Sequence, residues 1–283
     1  MKPVHIVSDN WQDIHRMQDS KYVQSDMQQC LAQIVDLLCD GKWVLFSGTS
    51  CQVAGLQTLL KQKKIPIATL VTLDFFCHGV PSPKIWAEYL QFYARRKRQE
   101  PKGYRFRSKK FGWGKSARGS SHLNSVLLEK GRTDNFSWAA RMWRTIFFSN
   151  LCIRPYCHGC PYATVKKPAD ITMGDFWGIE QVMPDFDDGK GCSLALVRSE
   201  KAQAILDTAG LTQRSVPLED AVKRQANAFL PSTPNQRREA FWRDYAEKGF
   251  DYVAGAYFHY NFTFRIKAFV KRILFALKLR NIY

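Results

Sequence analysis

The sequence has no long apolar run. No stretch approaches the ~18 uninterrupted apolar residues that a membrane-spanning helix needs, and the best internal candidate, 67-IATLVTLDFFC-77, is short and carries Asp74. The N-terminus, MKPVHIVSDNWQ, has no apolar run after its positive charge, which argues against a secretory leader. There is no internal repeat and no low-complexity linker. Acidic residues are scarce beside basic ones, 25 against 42, for a net charge of +17. Cysteine is scarce too, with eight in 283 residues. A soluble, cytoplasmic protein is expected, and in that compartment thiols stay reduced, so disulfides are a poor account of the cysteines. Neither zinc-finger histidine spacing nor an aromatic RNA-binding signature is legible, so no nucleic-acid partner is expected.

What is present suffices for a core: 45% of residues are hydrophobic and 13% aromatic, which excludes disorder over most of the length. The length fits one large domain or two modest ones; we expect a domain over 1–230 and a basic helical extension over 231–283. Arg95, Arg96, Lys97 and Arg98 run together, and Lys102, Arg105, Arg107, Lys109, Lys110, Lys115 and Arg118 follow. The bland reading is a solvated basic surface; the sharper one is an anionic partner.

Residues 25–40 read as an amphipathic helix, with Ser25 as N-cap, Gln28 completing a capping box, and Gly41 at its end. Cys30 and Cys39 are expected to be packing residues on it. The segment 43-WVLF-46 reads as a strand, and 47-SGTSCQVAGL-56 carries the chain through a glycine turn into a helix. A second strand, 67–76, runs into 77-CHGVPSP-83, and a helix follows. If these strands are neighbours in one parallel sheet, Cys51 and Cys77 emerge at the same carboxyl edge, where open α/β sheets build their sites. Further strands are expected within 103–114, 122–132, 169–179 and 191–199, and helices over 136–149, 200–209 and 217–227. The tail, 262–283, lines up Phe262, Ile266, Phe269, Val270, Ile273 and Leu277 on one helical face and carries six basic residues and no acidic one. It reads either as a peripheral membrane or protein-docking helix or as a helix packed on the domain.

In 152-CIRPYCHGCPY-162, three cysteines fall within nine residues. Cys152, Cys157 and Cys160 have the C-x4-C-x2-C spacing of plant-type 2Fe-2S ferredoxins, with Cys192 as a distant fourth ligand. Such loops favour small residues, whereas this one holds Ile153, Arg154, Pro155 and Tyr156. Structural zinc is a second option, although the second Cys-x2-Cys or His pair of a zinc ribbon is missing. A third pairs Cys157 and Cys160 with Cys51 and Cys77 around a 4Fe-4S cube. Spacing alone does not choose among them.

The chain resembles the beta-subunit family of coenzyme F-420 hydrogenases and dehydrogenases. Seven motifs in order carry the likeness over roughly residues 18–200: 20-SKYVQSD-26, 47-SGTSCQVAGL-56, 77-CHGVPSP-83, 105-RFRSKKFGWG-114, 154-RPYCHGC-160, 170-DITMGDFWGI-179 and 189-GKGCS-193. The resemblance implies an α/β (α+β) fold with a mixed sheet flanked by helices, a cysteine-rich cluster-binding loop region and a C-terminal helical extension. It also implies an iron–sulfur flavoprotein oxidoreductase that passes electrons between a two-electron carrier, through FAD, and a 4Fe-4S cluster.

Carried over by position, the ligands are Cys51, Cys77, Cys157 and Cys160, with Cys152 and Cys192 left as packing residues. The flavin pocket falls on Ser20, Lys21, Tyr22, Gln24, Ser25, Gly48, Thr49, Ser50, Gln52, Gly79 and Lys109. His78 and His158 adjoin cluster cysteines, and Asp175 and Trp177 adjoin the flavin site, without an assigned catalytic role. Ser50 stands where the family usually has proline, and Tyr156 where relatives often have a small residue. The expected partner is a ferredoxin or another redox subunit. Coenzyme F-420 is a doubtful cofactor, because many members come from bacteria not known to make it, some of them associated with surface-polysaccharide gene clusters. The competing readings are a zinc-stabilised binding protein with a basic face for an acidic partner, and a relative that keeps the fold without turnover.

Overall fold

The structure, a computed structural model, describes residues 1–108, 123–188, 190–258 and, beyond them, residues 266, 269, 270 and 273. In chain order the elements are α1 (Trp11–Met17), α2 (Gln28–Cys39), β1 (Val44–Ser47), α3 (Ser50–Gln62), β2 (Leu70–Phe75) and α4 (Pro83–Lys97). Next come β3 (Gly103–Ser108), β4 (Leu123–Leu127), β5 (Thr133–Asp134), α5 (Trp138–Phe148) and β6 (Ile171–Asp175). The last are α6 (Ile179–Val182), β7 (Ser193–Val197), α7 (Glu200–Thr208), α8 (Leu218–Val222) and α9 (Arg238–Tyr257).

The fold is a mixed α/β arrangement, as the sequence led us to expect. β1, β2 and β6 are parallel and β7 closes the sheet antiparallel, in the order β1-β2-β6-β7. β2 lies inside this sheet, which explains its nearly continuous apolar run, LVTLDF. A smaller antiparallel sheet, β3-β4-β5, stands apart in sequence between α4 and α5.

Helices bury their apolar stripes against these sheets and against one another. Ile34 and Leu38 of α2 join Val53, Leu56 and Leu60 of α3 and Phe46 of β1 in one core. A larger core gathers Ile85, Trp86 and Tyr89 of α4, Met142, Trp143 and Ile146 of α5, and Phe241, Phe250 and Val253 of α9. Trp86 and Trp143 meet edge to face at 4.6 Å, a favoured aromatic geometry. The segment expected as an extension therefore supplies, through α9, part of the main core.

Several expectations are corrected. Ser25 does not cap α2: the helix starts at Gln28, whose amide donates to Asp26 Oδ1 at 2.9 Å, while Ser25 is engaged by Gln52 from α3. Asp26 was the shorter-range acceptor, and a tertiary contact claimed the serine. Cys30 is buried, but Cys39, on the last turn of α2, is exposed. The basic run at the end of α4 is largely occupied within the protein: Arg95 pairs with Asp251 at 2.6 Å, Lys97 with Asp134 at 3.4 Å, and Arg96 lies over the Phe92 and Trp138 rings. Of the tail helix, Ile266, Phe269, Val270 and Ile273 are described and are helical; its basic residues lie outside the described residues. Among the described residues no helix is long and apolar enough to cross a membrane.

Candidate functional site

Because β1 and β2 run parallel in register, Val44 beside Leu70 and Ser47 beside Leu73, their carboxyl ends open on the same edge. Beyond β1, Gly48 and Thr49 lead into α3, whose first turn carries Cys51. Gln52 fixes this turn by accepting the Thr49 amide at 3.0 Å, and the Thr49 hydroxyl lies 3.1 Å from the Cys51 sulfur. Beyond β2 the chain passes Cys77 and His78 to Gly79, whose φ of +118° suits only glycine. A Cβ there would stand 2.9 Å from Ile153 Cγ2 and 3.2 Å from Cys157 Cβ, so this glycine also permits a close approach of the two cysteine-bearing segments.

The approach is locked by backbone pairing. Pro81 and Ile153 form an antiparallel bridge, the Arg154 amide donates to the Val80 carbonyl at 3.0 Å, and the Ser82 amide donates to Cys152 O at 3.0 Å. A 3-10 turn, Pro155–Gly159, then folds Cys157 back, and Cys160 follows directly.

The electrostatics record the convergence. Burial foremost, with the neighbouring thiols of Cys157, Cys51 and Cys160 acting the same way, pushes the Cys77 thiol up to about 12. Cys157 is raised by burial and then by Cys160 and Cys51. Cys77 thus lies near the other three expected ligands and Cys157 near Cys51 and Cys160, although among the described residues no three His, Cys, Asp or Glu side chains gather tightly enough to hold a single metal ion. An all-sulfur donor set is soft and suits iron–sulfur chemistry.

Cys152 lies elsewhere, fully buried in the aromatic core with its thiol pushed up by that burial. Cys192 packs against the cluster around Phe176 and Ile179, its thiol directed to the Phe186 carbonyl. Neither joins the other four.

Two residues at this edge escaped the sequence reading. Lys167 is only 7% exposed, and its ammonium donates to the Tyr162 carbonyl at 2.6 Å and the Ser50 hydroxyl at 3.3 Å. Burial lowers its pKa, while Asp74, Cys77 and Cys160 act in the opposite direction. Asp74, fully buried on β2, accepts from Thr172 at 2.5 Å. Its pKa is raised by burial and partly restored by Ser50, Thr172, Lys167 and Arg198. A carboxylate inside an apolar strand was a usable signal for Asp74; nothing in the sequence separates Lys167 from Lys166.

The expected flavin-pocket side chains have internal partners for the most part. The Lys21 ammonium caps the end of α1, donating to the carbonyls of Met17, Gln18 and Asp19. Tyr22 stacks on Phe147 at 4.2 Å, and its carbonyl accepts from Trp143 Nε1. Ser25 is tied to Gln52, Thr49 to Gln52 and Cys51, and Ser50 to Lys167. Gly48 is buried, its amide donating to Leu73 O at 3.0 Å. Ser20 and Gln24 are half-buried, and Lys109 lies outside the described residues. Asp175 accepts from Arg107 at 2.6 Å, and that guanidinium lies over the Trp177 ring. His78 meets Asn150 at 2.8 Å and Ser232 at 3.1 Å, and His158 donates from Nδ1 to Ser232 O at 2.7 Å, so a strap around Ser232 buckles onto the cysteine loops.

No curated protein matches the sequence. Among solved structures, a chain of the F-420-reducing NiFe hydrogenase complex from Methanosarcina barkeri is similar, at 15% identity and a TM-score of 0.45 over 86% of this chain and 75% of that one. The family described as the C terminus of the beta subunit of coenzyme F-420 hydrogenase/dehydrogenase matches residues 41–221. That match takes in β1, β2 and all four converging cysteines, and the chain belongs to this family of oxidoreductase subunits.

Proposed function

We propose that the chain is the iron–sulfur, flavin-dependent electron-transfer component of an oxidoreductase, with one 4Fe-4S cluster on Cys51, Cys77, Cys157 and Cys160. The observation that supports this reading is that the turns carrying Cys51 and Cys77 leave parallel, registered strands at one edge, while Gly79 lets the loop of Cys157 pack directly against the loop of Cys77. A 4Fe-4S cluster takes four thiolates and supplies one-electron carriage when bound.

The chain's own groups are suited to hold and tune such a ligand set. The Gly79 amide points at the Cys77 sulfur from 3.4 Å, and the Thr49 hydroxyl lies against that of Cys51. Hydrogen bonds of this kind shift the potential of a sulfur-ligated centre. FAD as the two-electron partner rests on family membership alone, since the Thr49, Ser50 and Lys21 side chains and the Gly48 and Thr49 amides are engaged internally. A separate redox subunit or ferredoxin as electron partner accords with a family named for a beta subunit.

Anaerobic purification with iron, sulfide and flavin assays tests the proposal. About four irons and four sulfides per chain are expected, together with one flavin. Stoichiometric zinc without iron would overturn the cluster; iron without flavin would keep the cluster and remove FAD.

A further inference from the structure

Lys167 is a buried lysine at the edge that carries the cysteines. A buried lysine is costly unless its charge is compensated, and here three cysteine-bearing segments supply the compensation. The Ser50 hydroxyl, next to Cys51, accepts from the ammonium at 3.3 Å. The Tyr162 carbonyl, two residues after Cys160, accepts at 2.6 Å, and the intervening loop is closed by the Ala163 amide on Cys160 O at 3.2 Å. Asp74, three residues before Cys77 on the same strand and its exit, is the nearby carboxylate that acts as the counter-charge.

We infer that Lys167 is a positioning residue of the thiol site, clamping the Cys51 turn to the loop after Cys160 and setting a fixed positive charge beside the sulfurs that favours reduction of a cluster bound there. The inference rests on the cluster reading above. A nearby cation stabilises the extra negative charge of the reduced state, and the low-dielectric surroundings strengthen the effect. No proton is required: one electron from the titrating dithionite reduces the cluster.

Three variants separate the two roles in the full-length, anaerobically purified protein. Lys167→Gln keeps hydrogen-bonding capacity but not charge, Lys167→Met keeps neither, and Lys167→Arg keeps the charge. The Thr172 hydroxyl remains as a hydrogen-bond donor to Asp74 in all three variants. Expected in a potentiometric titration followed by electron paramagnetic resonance is a roughly tenfold less favourable reduction in both neutral variants, about 59 mV for one electron. Lys167→Arg is expected to stay near the wild type. Iron content is expected to fall severalfold in Lys167→Met alone. Iron-loaded neutral variants with a wild-type potential would overturn the inference while leaving the cluster intact. Iron-free wild-type protein would overturn the cluster reading itself, and this inference with it.

Discussion

Gly79 joins a backbone requirement to a packing requirement at a single atom. Its positive φ excludes comfortable L-residues, and the space a Cβ would fill is taken by Ile153 and Cys157. Gly210 offers the contrast, with φ of +64° and nothing within 4 Å of an added Cβ. Gly79→Ala is therefore expected to cost roughly 2–4 kcal/mol through combined strain and overpacking, and Gly210→Ala only about 1 kcal/mol. Urea unfolding of both variants checks this; equal losses would show that the approach of Cys77 to Cys157 does not depend on a missing side chain. At this scale the cysteines stood out as candidates because thiols are few and their chemistry is distinctive, but the choice of four came from the family resemblance and not from their spacing. Lys167 was not, because a buried lysine looks like any other until partners 117 residues away in sequence close on it.

At the scale of elements, the turn between β1 and α3 shows how a local motif becomes a tertiary joint. Gln52 closes the first turn of α3 through its oxygen and reaches with its amide nitrogen to Ser25, at 3.1 Å from the carbonyl and 3.4 Å from the hydroxyl. The side chain is buried, so water cannot replace these bonds. Gln52→Ala is expected to destabilise the protein by about 1–2 kcal/mol and to speed amide exchange over residues 20–26. Gln52→Glu, which keeps the acceptor but not the donors, is expected to fall between. An unchanged exchange pattern in Gln52→Ala would mean that the segment is held by Tyr22 packing alone. The two strands and their glycine-bearing exits into helices could be read from the sequence, whereas their parallel pairing entered only as a condition that the register of β1 on β2 now meets. The start of α2 could not. Ser25 and Asp26 are both competent caps, and only the arrival of Gln52 from another element decides between them.

For the molecule as a whole, the decisive feature is the return of the chain after α8. The family match ends at residue 221, and the sequence suggested a boundary near 230, yet Phe241, Phe250, Val253 and Phe258 lie within the main core beside Trp86 and Trp143. Sequence reading missed this because α9 shows no sharp apolar stripe: its buried residues, Phe241, Phe250, Val253 and Ala254, are divided by a kink at Gly249. Burying these four side chains is worth roughly 6–12 kcal/mol, which rivals the total of about 5–15 kcal/mol typical of a folded domain. The same segment carries Ser232, which meets His78 and His158 beside the cysteines, and Arg238, which donates to Leu151 O at 2.6 Å. Truncation after residue 230 is accordingly expected to abolish cooperative unfolding and iron retention together, although every candidate ligand remains. Circular dichroism melts with iron analysis of the truncated chain check this. A soluble, iron-loaded product melting cooperatively would show that 1–230 is a self-sufficient domain and that α9 merely covers it.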